Sequence, residues 1–143
     1  MRRGTEPVTR PPVSSPGGRL RSGPVVLVVD DDAGVRGLVR ANLEAEGYAV
    51  QEAASAREGL AALEEEAPDL VLLDVMMPEV DGWEMLRQVQ ERFGAGAIPV
   101  IVFSGKIEER AVADATSRGA SGFLGKPFDL RQLVDQTKQI APV

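Results

Sequence analysis

Residues 69–82, Asp69-Leu-Val-Leu-Leu-Asp74-Val-Met-Met-Pro-Glu-Val-Asp81-Gly82, run from an aliphatic stretch into a carboxylate and then into turn formers. Four consecutive apolar residues, Leu70 to Leu73, suit a strand buried on both faces, as in a parallel sheet covered by helices on each side. An aspartate at the carboxyl end of such a strand lies where open α/β sheets build their sites. Taken alone, Asp74 reads equally well as a turn residue. The stretches on either side decide between the two.

Upstream, Val25-Val-Leu-Val-Val29 is a second run of this kind, and it ends on Asp30-Asp31-Asp32. Val35, Leu38, Val39 and Leu43 follow with the spacing of one helix face, and Gly47 is a plausible stop. Tyr48 to Glu52 alternates loosely, like a short strand near an edge. Ser55-Ala-Arg-Glu58 has the form of a capping box that opens a helix with Leu60 and Leu63 inward, ended before Pro68. Downstream, Asp81-Gly-Trp-Glu84 offers another helix start, with Met85, Leu86, Val89 and Phe93 on the apolar face and Gly94 closing it. Ile98 to Phe103 predicts a fourth strand ending on Ser104-Gly105. Residues 107–118 predict a helix with a thin apolar face, the least firmly packed element. Ser121 to Gly125 predicts a short fifth strand, Lys126-Pro127 a turn, and Leu130, Leu133, Val134, Thr137 and Ile140 the inner face of a last helix. Five strand-then-helix units imply a parallel sheet with right-handed crossovers.

Composition narrows the chemistry. With 143 residues, 43% of them hydrophobic, one core is expected. There is no cysteine and no histidine. That removes disulfides, thiolate or imidazole metal ligands and every histidine-dependent catalytic device. No apolar run approaches the roughly 20 residues needed to span a bilayer, so a soluble protein is expected, and the lack of cysteine fits a reducing cytoplasm. Residues 1–24 hold five arginines against Glu6, a net +4, so the rest of the chain carries −6 − 4 = −10. The leader also holds five of the ten prolines and is expected to be a disordered basic tail ahead of a domain at 25–143. The acidic body argues against nucleic-acid binding by the domain, because phosphate neutralisation needs clustered Lys and Arg.

Aligning the strand ends places Asp30 and Asp31, Asp74, Ser104 and Lys126 on one edge of the sheet. Each has a plain reading as a cap, a turn hydroxyl or a surface amine. Together they form a constellation. Two unit charges about 4 Å apart repel by roughly 4 kcal/mol at an effective dielectric near 20, so three converging carboxylates call for a cation. With oxygen ligands alone, Mg²⁺ or Mn²⁺ is favoured. Such ions bind best through a couple of carboxylates and a phosphate, which suggests phosphoryl chemistry.

These stretches resemble the receiver domains of two-component response regulators. The likeness runs through Val-Val-Asp30-Asp31-Asp32, Leu-Leu-Asp74-Val-Met-Met-Pro78 with Asp81-Gly82, Pro-Val-Ile-Val-Phe-Ser104-Gly105, and Gly119-Ala-Ser-Gly-Phe-Leu-Gly-Lys126-Pro127. It covers about 120 residues, essentially everything after the tail. It implies a doubly wound, flavodoxin-like α/β fold with five helices and a five-stranded parallel sheet in the order 2-1-3-4-5. It implies a signalling phosphoacceptor rather than an enzyme acting on other substrates. Asp74 would take a phosphoryl group from a phosphohistidine on a sensor histidine kinase or a histidine phosphotransfer protein. Asp31, Asp74 and the main-chain carbonyl of Met76 would bind the divalent ion directly, with Asp30 acting mostly through water. Lys126 would pair with Asp74 and then with a phosphoryl oxygen. Ser104 would move to the phosphoryl group, and Phe123 would rotate inward behind it into room left by Gly105. Lys126-Pro127 would be the family's cis bond. A downstream target would dock on the fourth helix, fifth strand and fifth helix.

On the same resemblance, Met76 and Lys106 would flank the path of a hydrolytic water, and their bulk is expected to slow loss of the label. A phosphatase of the haloacid dehalogenase type needs a second aspartate two residues after the first, where this chain has Met76. A nucleotide-binding Rossmann domain needs a glycine-rich turn in place of Asp30-Asp31-Asp32. The remaining alternative is a receiver-like module that acts by binding alone, although such forms usually lose an acidic residue or the lysine. The chain ends just after the last helix, which fits either a stand-alone receiver or a piece excised from a longer protein.

Overall fold

A computed structural model describes residues 23–76, 82–104, 113, 115–127 and 129–143. Five parallel strands, β1 (Val25–Val29), β2 (Ala49–Ala53), β3 (Leu70–Asp74), β4 (Val100–Ser104) and β5 (Gly122–Gly125), form one sheet in the order 2-1-3-4-5. Four helices are described, α1 (Ala33–Ala45), α2 (Ala56–Glu65), α3 (Gly82–Phe93) and α4 (Leu130–Ile140). Residues 113 and 115–117 carry helical backbone within the stretch where the sequence predicts a further helix; most of that stretch lies outside the described residues.

Alternation along the central strands divides the interior into two layers. Leu27, Val29, Val71, Leu73, Val100 and Val102 face α2 and α3, where Leu60, Leu63, Met85, Leu86 and Val89 cover them. Val26, Val28, Leu70, Leu72, Ile101 and Phe103 face Val39 and Leu43 of α1 and Leu133 of α4. Every residue of β1, β3 and β4 is buried, and each such Leu or Val contributes about 1.5–3 kcal/mol of transfer free energy. Burial on both faces is why these strands are continuous apolar runs.

Leu38 departs from the expected helix face: it is 51% exposed. Val39 and Leu43, four apart, set the buried stripe of α1, and Leu38 lies about 100° round the helix from Val39. Element edges also shift. β4 starts at Val100 rather than Ile98, because Pro99 has no amide to donate; its carbonyl instead accepts from Val71 N at 3.0 Å. β2 starts after Tyr48, whose hydroxyl donates to the Ala141 carbonyl at 2.6 Å and pins the end of α4. At α2, the Ser55 hydroxyl accepts from Glu58 N at 3.1 Å. Glu58 does not return the bond to Ser55; its carboxylate accepts from Ala54 N at 2.9 Å. Just ahead of β1, the Pro24 carbonyl accepts from Ala49 N at 2.9 Å.

The edge strand β2 is tied to α1 by charge. Ala49 N and the Ala53 carbonyl bond toward β1, so the intervening Val50 carbonyl points the other way. Arg40 Nη2 donates to it at 2.5 Å, and Arg40 Nη1 reaches Glu52 at 2.6 Å.

Candidate functional site

The carboxyl ends of β1, β3, β4 and β5 converge, and they carry Asp30, Asp74, Ser104 and Lys126. Asp30 is fully buried and Asp74 is 3% exposed. Asp31, one residue beyond β1, is exposed. Each of these three aspartates offers an oxygen that lies within 4.8 Å of those offered by the others. Oxygens gathered this closely are a set that a divalent ion could draw together, through direct bonds to some of the aspartates and through water to others.

Asp30 is fixed from several directions. Its amide donates to the Ala53 carbonyl at 3.1 Å, and its Oδ1 accepts from Asp32 N at 2.9 Å. Its Oδ2 accepts from Lys126 Nζ at 2.8 Å. Asp32 is the N-cap of α1, accepting from Gly34 N at 2.8 Å and Val35 N at 3.3 Å. Capping draws the third aspartate away from the cluster and fixes the direction in which the chain leaves β1.

Asp74 closes β3, with the Phe103 carbonyl accepting from Val75 N at 3.1 Å. Its Oδ1 accepts from Met76 N at 2.9 Å, and its Oδ2 accepts from Lys126 Nζ at 3.3 Å. Gly82 opens α3 against the same corner: a Cβ at this position would collide with the main chain of Asp74 and Val75. Only glycine lets α3 begin so close to the turn.

Lys126 stands between two carboxylates, nearer Asp30 than Asp74. Burial lowers the pKa of its ammonium, but the hydrogen bond and charge of Asp30, with those of Asp74, outweigh that and leave it raised. Its Nζ also sits 5.2 Å from the centre of the Phe103 ring. The Lys126–Pro127 peptide bond is cis, and the Lys126 amide donates to the Ser104 carbonyl at 2.7 Å. Ser104 itself is buried at the end of β4.

One ammonium facing three carboxylates leaves a local charge of −2. With neither His nor Cys in the chain, a hard divalent ion is the complement that the donor set fits.

The remaining predicted positions are scattered. Phe123 on β5 is half-buried and packs on the α2/α3 layer, opposite Val102. The Met76 side chain is 56% exposed. Lys106, Gly105, Met77, Pro78 and Asp81 lie outside the described residues. Arg36 was not foreseeable from the motifs, yet its Nη1 donates to the Asp30 carbonyl at 2.7 Å. A long side chain selects its partner through tertiary structure, and no local pattern announces the choice.

Among the described residues, no helix is long and apolar enough to cross a membrane.

Comparison with known proteins places this architecture. The model of the response regulator receiver domain matches residues 26–138. The transcriptional regulatory protein ResD of Bacillus subtilis is 40% identical over 115 residues, which are 80% of this chain and 47% of ResD. An uncharacterized 14.6 kDa protein of Leptolyngbya boryana is 39% identical over 114 residues, 80% of this chain and 87% of that protein. The chain spans about half the length of ResD and of several other curated relatives it matches. Among solved structures, the chemotaxis response regulator CheY4 of Vibrio cholerae superposes with a TM-score of 0.77 at 29% identity, covering 82% of this chain and 98% of that one. By sequence and by fold alike, the chain belongs to the receiver domains of two-component response regulators.

Proposed function

We propose that this receiver accepts a phosphoryl group on Asp74 from a phosphohistidine of a sensor histidine kinase or histidine phosphotransfer protein. The observation that carries this reading is the placement of Asp74, nearly buried at the end of the central strand β3, within reach of Asp30, Asp31 and Lys126. A carboxylate oxygen of Asp74 attacks phosphorus; the phosphorus–nitrogen bond breaks, and its electron pair stays on the donor imidazole. The donor belongs to the partner, since this chain has no histidine.

Asp31, Asp74 and the Met76 carbonyl would hold Mg²⁺ or Mn²⁺, with Asp30 beside them. When bound, the ion neutralises charge on the transferring group and on the carboxylates. Lys126 is already shared between Asp30 and Asp74, so it can move to a phosphoryl oxygen as negative charge develops there. The Ser104 hydroxyl then donates to the phosphoryl group, and Phe123 turns inward by packing alone, because it has no hydroxyl. That rearrangement alters the face formed by residues 107–118, β5 and α4, where a downstream target docks. Residues 25–143 form the working unit, and residues 1–24 are a basic leader to it. The acidic body makes protein rather than nucleic acid its partner.

Incubation with acetyl phosphate and Mg²⁺, followed by intact mass, tests this directly. One phosphoryl group is expected on the wild-type chain and none on Asp74→Asn. Absence of any gain, with both acetyl phosphate and a competent kinase, would identify a module that acts by binding alone. Met76 and Lys106 are expected to slow hydrolysis of the label. Replacing either by a small residue should shorten the label's lifetime in Mg²⁺ buffer, and an unchanged lifetime would remove them from this role.

A further inference from the structure

The geometry points to Arg36 as a positioning residue: its guanidinium bridges the turn that carries Asp30 and Asp31 to strand β2, and so sets the spacing of the acidic cluster. Arg36 Nη1 donates to the Asp30 main-chain oxygen at 2.7 Å, while Arg36 Nε donates to Glu52 Oε1 at 2.9 Å. The Arg36 side chain is only 16% exposed, so water competes weakly for either bond. The inference rests on reading the Asp30–Asp31–Asp74 cluster as a divalent-ion site.

Two features argue for position rather than charge. Glu52 accepts from both Arg36 and Arg40, so the guanidinium is already partnered and adds little net charge beside the aspartates. The bridge also needs two donors in a fixed fork, aimed at acceptors on different elements, which a lysine ammonium cannot supply. The turn needs such a tie. The amide and both carboxylate oxygens of Asp30 are committed to Ala53, Asp32 and Lys126. Asp31 is exposed, and among the described residues none pairs with its carboxylate. Its direction toward the cluster is therefore set by the main chain, which Arg36 holds from behind.

Arg40 supplies a matched control. It sits one turn later on α1, bonds Glu44, the same Glu52 and the Val50 carbonyl, and among the described residues makes no hydrogen bond to the acidic turn. Mn²⁺ binding to the full chain, followed by loss of the free-ion signal in electron paramagnetic resonance and competed with Mg²⁺, separates the two. Arg36→Lys and Arg36→Gln are each expected to weaken binding by about tenfold, at the lower end of what loss of a supporting partner costs a metal site. Arg40→Lys should stay within about twofold of wild type by the same comparison. Glu52→Gln keeps an acceptor for Arg36 and should fall in between. Thermal melts on each variant establish that it is folded.

Wild-type affinity in Arg36→Lys would overturn the proposal. So would tighter binding in Arg36→Gln with Arg36→Lys unchanged, because charge and not position would then be at work. Equal weakening in Arg36→Lys and Arg40→Lys would reduce the effect to a loosened α1, and would also overturn it. Failure of the wild-type chain to bind Mn²⁺ would instead remove the ion site on which the inference depends.

Discussion

Among the clusters of described residues that set arginine or lysine against carboxylates, those on α3 and at the strand ends contrast most. On α3, Arg87 bonds both Glu84 and Glu91 across single helical turns, and Gln88 adds a bond to Glu84 at 3.0 Å. At the strand ends, Lys126 bonds Asp30 and Asp74 across 96 and 52 residues of sequence. The α3 cluster stands in water, where solvent screens it and mobile side chains lose entropy on pairing. The strand-end cluster is nearly dry on the carboxylate side, so its charges are neither screened nor dispensable. Similar chemistry is decoration in one place and a constraint on folding in the other, and burial makes the difference.

Lys126→Met should break this contrast most severely. It leaves two buried carboxylates without their cation, for which about 3–5 kcal/mol is usual; the quarter exposure of the Lys126 side chain reduces the expected loss to about 2–3 kcal/mol. Urea denaturation in EDTA measures it, and added Mg²⁺ should recover part of the loss. Recovery would separate a charge deficit from simple lost packing. Gly82→Ala comes next. The added methyl has no space against the main chain of Asp74 and Val75, and a cost of about 1–3 kcal/mol is expected, together with slower labelling by acetyl phosphate. Normal stability and labelling would mean that α3 can retreat from the corner freely.

Alkaline titration sharpens the contrast further. The folded-state pKa of Lys126 lies above its ordinary value of 10.5, so its contribution is complete below that pH and is lost as pH rises through the folded value. Tyr48 has a raised pKa in the same window, chiefly from burial, and its contribution fades in the same direction. Only the part of the alkaline decline due to Lys126 should vanish in Lys126→Met. The smallest effect belongs to α3. Arg87 and Gln88 hold Glu84 at about 2 through hydrogen bonds, against an ordinary 4.5. Its contribution is therefore present above 4.5 and lost as pH falls toward 2. Because the Glu84 side chain is 40% exposed and solvent screens its pairing, Glu84→Gln should move the acid limb of the stability curve only slightly; a large shift would show that exposure is a poor guide here.

The strands were legible in the sequence because burial on both faces demands unbroken aliphatic runs, and β1, β3 and β4 have them. The gathering of Asp30, Asp31, Asp74 and Lys126 was legible for a related reason: in a parallel sheet the residues that follow such runs meet at one edge. Helix faces were less so. Leu38 fits the apolar spacing of α1, but the direction of the stripe is decided by where the sheet lies. Pairing within the site was hidden as well. The resemblance joins Lys126 to Asp74, whereas its shorter bond runs to Asp30, a choice made by side-chain reach across three strands. Arg36 carried no signal in the sequence, because the partners of a long side chain are settled only after the chain has folded.

The bond from Arg40 to the Val50 carbonyl bears on how this molecule behaves in a crowd. β2 is an outer strand, and an outer strand with open carbonyls is a template on which a strand of another chain can grow. Here an outward acceptor is already taken by a cation. A neighbour's strand would have to displace a guanidinium before it could add to the sheet, which favours copies of this protein staying apart at the concentrations where flat sheet edges otherwise begin to aggregate.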